Sequence, residues 1–239
     1  MRKTAIVTGC SKGIGREIAL ELARDGYDII GTYNTNKKDI DFLKNKINNI
    51  GVKFNCYKLD LTNDDSIIKF INEIKNNYIN IDVLINNAGL SLDNEFDLKT
   101  KDEFIKVLEV NLIGPFLLIQ GLKDLLDIVI NIASTDGINT YTKYNIDYSA
   151  SKAGLINLTK SLALILEDKK IFAICPNWVN TESIREMNQD YLKDEMNRIG
   201  QSKLIEPKEV ADKVIDLIYS NEKSGSVVVM EGLHVLWFN

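Results

Sequence analysis

The sequence predicts an α/β protein with a doubly wound, seven-stranded parallel sheet and helices on both faces. Three observations lead there. Short β-branched runs alternate with longer amphipathic runs from one end of the 239 residues to the other. Seven of the short runs are almost continuously apolar, as suits strands covered on both faces. Strands separated by helices imply right-handed crossovers and a parallel sheet.

The elements follow in order. KTAIVTG (3–9) leads into a helical stretch over 13–25, and YDIIGTY (27–33) into one over 36–49. VKFNCYKLD (52–60) precedes 64–77, where Ile67, Ile68, Ile71 and Ile74 fall on one helical stripe. DVLINNA (82–88) is followed by a helix near 100–124, and DIVINIAS (127–134) by one over 147–167. After KKIFAICP (169–176) the chain is polar and irregular over roughly 180–205. Ligands in open α/β sheets sit beyond the carboxyl ends of the strands, so this segment reads as a substrate-loop lid. Pro207 stands where a last helix, 207–220, begins, and SGSVVVM (224–230) closes the sheet. No repeat, low-complexity tract or linker divides the chain, so 1–239 reads as one domain.

Composition narrows the function. Hydrophobic residues make up 45% and charged residues 26%, the balance of a soluble globular protein. Net charge is −5 and the basic residues are scattered, which argues against a nucleic-acid partner. Cys10, Cys56 and Cys175 form no CxxC pair and suit thiols in a reducing cytosol. MRKTAIVTG lacks a signal-peptide core, and LLDIVINIA (125–133) is too short to span a bilayer, so the expectation is a cytoplasmic protein with no membrane partner. The one histidine, His234, has no ligating or triad neighbours, and no His/Cys cluster points to a metal.

TGCSKGIG (8–15) follows the first strand and opens the first helix. Glycines there let the backbone approach a pyrophosphate, whose charge the helix N-terminus favours. At the end of the second strand, GTYNTNKKD has no carboxylate until Asp39, where an acid would bind the ribose hydroxyls of NAD. Lys12, with Lys37 or Lys38, instead offers charge to a 2′-phosphate. NADP(H) is therefore favoured, with NAD(H) as the alternative.

Tyr148 and Lys152 stand four apart in DYSASKAG, on one face of a predicted helix, with small residues between them. A phenol of ordinary pKa near 10 is a poor proton donor at neutral pH, and a neighbouring cation is expected to draw it down.

The Gly9-x3-Gly13-x-Gly15 spacing, NNAG (86–89), Asn111 in VNLIGPF, Ser134 and the Tyr148-x3-Lys152 pair occur in this order along nearly the whole chain. Together they resemble the short-chain dehydrogenase/reductase family, in a form similar to its 3-oxoacyl-acyl-carrier-protein reductases. The resemblance implies a Rossmann-type NAD(P)-binding domain and an oxidoreductase acting on carbonyl or alcohol groups. It implies a catalytic set of Asn111, Ser134, Tyr148 and Lys152. In it Tyr148 gives a proton to the carbonyl oxygen, Ser134 bonds that oxygen, and Lys152 holds the nicotinamide ribose. Asn111 kinks its helix and holds a water. The cofactor positions implied are Gly9, Ser11, Lys12, Gly13, Ile14 and Gly15, then Asn34, then Asp60 and Leu61 near the adenine. Asn87, Ala88 and Gly89, Tyr148 and Lys152, and Pro176, Val179 and Thr181 complete them.

The resemblance also implies a small carbonyl or alcohol substrate, with an acyl-carrier-protein or CoA thioester among the candidates, and a homo-oligomer, dimer or tetramer. Four departures bear on it. Pro176-Asn177 replaces a frequent Pro-Gly, asparagine being tolerant of a left-handed turn. Thirteen residues separate Ser134 from Tyr148. The helix before the fifth strand is short. The C-terminus lacks a double glycine and ends in Val235, Leu236, Trp237 and Phe238, which suggests burial against a partner subunit. Rival readings are an alcohol, polyol or sugar dehydrogenase of the same family, and a silent NADP(H) sensor.

Overall fold

The computed structural model describes residues 2–231 and, for the backbone alone, 234–238. Strands β1 (Thr4–Val7), β2 (Asp28–Tyr33), β3 (Phe54–Lys58), β4 (Ile81–Asn86), β5 (Leu126–Ile132), β6 (Lys170–Pro176) and β7 (Val227–Glu231) form the expected parallel sheet. Their order is β3-β2-β1-β4-β5-β6-β7, and an eighth strand, β8 (His234–Phe238), adds to β7 antiparallel. The apolar C-terminal end is thus paired as an edge strand of this chain, although its side chains lie outside the described residues.

Helices α1 (Gly13–Arg24), α2 (Lys37–Ile50) and α3 (Asp64–Asn77) match their sequence stretches. α4 (Lys101–Leu108), a π-turn at Glu109–Ile113 and α5 (Gly114–Leu122) form one broken run. α6 (Ile146–Ile165) carries Tyr148 and Lys152. Two short helices, α7 (Glu182–Arg185) and α8 (Gln189–Arg198), give order to the segment expected to be irregular. α9 (Pro207–Tyr219) begins at the proline, as its missing N–H allows.

Side chains of each strand alternate between two apolar layers. Ala5 and Val7 pack with Ile18, Leu22, Leu43, Val214 and Leu217, under α1, α2 and α9. Ile6 faces the other way, with Ile67, Phe70, Leu118 and Leu122 of α3 and α5. Each fully buried leucine or isoleucine contributes about 1.5–3 kcal/mol relative to exposure. Of the predicted α3 stripe, Ile67 and Ile74 enter this layer, whereas Ile68, one residue round the helix, is 56% exposed.

The 22-residue run Lys101–Leu122 is long and apolar enough to cross a membrane by length and composition. Here Leu118, Ile119 and Leu122 of that run are core residues against the sheet.

Strand order reverses between β1 and β4, and a crevice opens there at the carboxyl ends of the strands. A buried ion pair fixes one wall of it. Lys99 Nζ lies 3.1 Å from Asp147 Oδ2, with side chains 5% and 0% exposed, and the same ammonium donates to the Leu92 carbonyl. Asp147 begins the turn that carries Tyr148, whose N–H it accepts at 3.0 Å. Lys99→Ala leaves that carboxylate buried without its cation, and is expected to cost about 3–5 kcal/mol. Equilibrium denaturation of the two proteins measures it, and an unchanged midpoint would count against the ion pair's role.

Candidate active site

The loops after β1, β4, β5 and β6 converge on a cavity of about 910 Å³. That is within the range of small-molecule and cofactor sites. Every cofactor position expected from the sequence borders it, from Gly9 to Thr181, as do Ser134, Tyr148 and Lys152. Asn111 does not. Of the three candidate lysines for a 2′-phosphate, Lys12 borders the cavity, whereas Lys37 and Lys38 are exposed at the start of α2 and do not.

The glycine loop is held from below. The Thr8 hydroxyl accepts the N–H groups of both Asn87 and Ala88 at 3.0 Å. The Asn87 amide donates to the carbonyls of Thr8 (2.9 Å) and Gly9 (3.2 Å). Gly9 sits at φ +63°, and a Cβ there would lie 2.9 Å from the Ala88 Cα. A side chain at Gly9 is thus excluded twice over. At the mouth of α1, the Gly13 N–H donates to Glu182 Oε2 at 3.1 Å, while Arg16 Nη1 reaches Glu182 Oε1 at 2.9 Å. Burial pushes the Glu182 carboxyl up, but its own backbone N–H, Arg16 and Gly13 together hold it below the ordinary range. An internal carboxylate thus already rests on a backbone donor at the N-terminus of α1, where the charge of a pyrophosphate is favoured, and the residues present fit a dinucleotide.

At the other end, Asn111 is fully buried in the π-turn. Its Oδ1 accepts the Leu90 N–H at 2.8 Å, and its Nδ2 donates to the Leu90 carbonyl (2.9 Å) and to Ser151 Oγ (3.0 Å). It ties the loop after β4 to the residue beside Lys152, and the helix expected to kink there carries a π-turn.

Lys152 is buried, its Nζ donating to the Ile132 carbonyl at 2.8 Å and lying 5.4 Å from the centre of the Tyr148 ring. Burial brings its pKa down to about 8, with Cys175 and Asp136 pulling back up. The Tyr148 phenol moves the other way. Burial pushes it well above its ordinary value, the Asp136 carboxylate adds to this, and hydrogen bonding to Ser134 opposes it. This reverses the downward shift that the spacing to Lys152 predicts. Both groups lie in the same poorly solvated space, where each charge is disfavoured.

Three features are not evident from the sequence alone. Asp136, two residues beyond Ser134, borders the cavity. Gly137 lets this 3₁₀ turn lie flat on α6, where a Cβ would be 2.6 Å from both Lys152 C and Ala153 N. Asn177 shows no left-handed backbone, since no non-glycine residue among those described has positive φ. It is held instead by its N–H to the Met230 carbonyl (3.0 Å) and by Thr135 Oγ1 on its Oδ1 (2.5 Å). The motif STDG carried the Asp136 and Gly137 signals, but contact with α6 is invisible in one dimension.

The profile of the short-chain dehydrogenase family matches residues 3–192. The chain is 33% identical, over an alignment 246 positions long, to the 3-oxoacyl-acyl-carrier-protein reductase FabG of Buchnera aphidicola subsp. Schizaphis graminum, covering 98% of this chain and 96% of that one. A dehydrogenase/reductase of Sinorhizobium meliloti 1021 superposes with a TM-score of 0.89 at 28% identity, over 96% of this chain and 94% of that one. A single-residue variant of the actinorhodin polyketide ketoreductase, with NADPH, does so at 0.86 and 27%, over 97% of each chain. The chain belongs to the short-chain dehydrogenase family. It is an NAD(P)-dependent oxidoreductase acting on carbonyl or alcohol groups.

Gly137→Ala forces backbone against backbone and is expected to destabilise the fold by about 1–3 kcal/mol. The check is thermal unfolding, with an unshifted transition contradicting the close approach.

Proposed function

We propose that the protein reduces a small ketone to an alcohol, with NADPH as the favoured nucleotide and Tyr148 as the proton donor. The observation that carries this reading is the convergence of Ser134, Tyr148 and Lys152 on the cavity that the glycine loop also borders. When bound, the nucleotide supplies the hydride. Tyr148, kept protonated by burial, gives its hydroxyl proton to the carbonyl oxygen as negative charge grows there. Ser134 donates a hydrogen bond to the same oxygen. The Lys152 ammonium holds the nicotinamide ribose, and Asn111 fixes the helix turn beside it through Ser151.

Lys12, and Asn34 and Thr35 in place of an acid directly after β2, support the 2′-phosphate form. The actinorhodin ketoreductase named above was solved with NADPH, in agreement with this choice. The names of the relatives make 3-oxoacyl thioesters of acyl-carrier protein the first substrates to try, and CoA thioesters carry the same reacting group. Hydroxylated ketones, or the corresponding polyols, form a second class, favoured by the acids Asp93, Asp136 and Glu195 on the cavity wall. We take residues 1–239 as one domain with 180–205 as its substrate loop, acting in the cytoplasm. Exposed Ile105, Ile113 and Phe116 along α4 and α5, with Leu164 and Ile165 on α6, support a homo-oligomer whose second copy covers them.

Loss of NADPH absorbance with a panel of ketones and 3-oxoacyl thioesters tests the activity. Tyr148→Phe is expected to lower kcat about 10²- to 10⁴-fold while leaving nucleotide affinity intact, and near-normal turnover would overturn the assignment. The pH profile provides an independent check. Lys152 is charged below about 8 and neutral above it, so kcat/KM for the nucleotide is expected to fall as pH rises through that value. A profile flat from about pH 7 to 9 would contradict the buried ammonium.

A further inference from the structure

We propose that Asp136 is a specificity-determining residue, its carboxylate accepting a hydrogen bond from a hydroxyl or ammonium group on the carbon next to the substrate's carbonyl. The inference rests on the ketone-reductase reading and narrows its substrate class.

Asp136 follows Ser134 by two residues on the same 3₁₀ turn, and both border the cavity with Tyr148. The turn is locked. Ser134 Oγ accepts the Asp136 N–H at 3.1 Å, and Gly137 presses against the α6 backbone. The backbone that carries the carboxylate is therefore held in place beside Ser134. A carboxylate accepts about four hydrogen bonds. Among the described residues, one donor reaches this side chain, the Thr140 hydroxyl at 2.7 Å, and no cation touches it. Arg198, a source of positive charge nearby, is taken by Glu195, its Nη2 lying 2.6 Å from Oε2. Asp93 and Glu195 border the same wall and add negative charge. Partly enclosed carboxylates short of donors favour ligands that bring donors and exclude those that bring acceptors. The keto group of a 3-oxoacyl thioester is flanked on both sides by carbons that carry only hydrogen, with the thioester carbonyl beyond one of them, and none of these is a donor. A hydroxyketone or aminoketone supplies what is missing.

The test compares 1-hydroxybutan-2-one with butan-2-one, using purified protein and NADPH. The parent enzyme is expected to prefer the hydroxyketone in kcat/KM. In Asp136→Asn, whose amide oxygen still accepts from Thr140, the preference is expected to shrink about ten- to a hundredfold. Asp136→Ser serves as a second variant. The ratio of two substrates on one preparation does not depend on the fraction folded, so partial instability leaves it readable. If the variants keep the parent's preference, or the parent favours butan-2-one, the role of Asp136 is overturned while ketone reduction stands. If the parent turns over neither these ketones nor any of the wider panel, both readings fall.

Discussion

Lys152 is a cation taken out of water and given, among the described residues, one direct acceptor, the carbonyl of Ile132 at the end of β5. Such a group is tolerated only where its surroundings are fixed, because any slack leaves a charge without a partner. The surrounding contacts supply that fixity. Asn111 braces the neighbouring Ser151, and the Ser134–Gly137 turn lies directly on the Lys152 backbone. The Asp136 carboxylate offsets part of the burial electrostatically. The position of the phenol follows from that of the ammonium, since both are on α6 and share one dry wall.

A second set of contacts joins the two halves of the sheet where its order reverses. The Thr8 hydroxyl and the Asn87 amide interlock β1 with the loop after β4, so the glycine turn is set by strand register and not by its own sequence alone. Asn87 thus spends its donors on protein carbonyls, a bracing role that a cofactor-contact reading of NNAG does not contain.

The fold, and the gathering of the expected residues other than Asn111 around one cavity, were largely legible in the sequence, because both follow from periodic or local signals. Apolar runs such as KTAIVTG and KKIFAICP mark buried parallel strands, and the glycine spacing marks the first turn. What stayed hidden depended on burial or on pairing across long separations. The upward shift of Tyr148 comes from desolvation and from Asp136, and spacing to Lys152 cannot report either. The antiparallel direction of β8, the two helices within 180–205 and the exposure of Ile68 reflect tertiary placement. Asn177 holds its turn through Thr135 and Met230, partners distant in the chain, so the intrinsic backbone tolerance of asparagine does not predict its conformation.

The segment that overhangs the cavity leaves and rejoins the body at one place. Val179 pairs with Ile205, and Gln201 exchanges hydrogen bonds of 3.0 and 2.9 Å with the backbone of Trp178. With its two feet joined and Glu182 tied to the mouth of α1, the rest of the excursion can gain or lose residues without tugging on β6 or α9. Changes in what this side of the cavity presents can therefore be made there while the arrangement of Ser134, Tyr148 and Lys152 stays as it is.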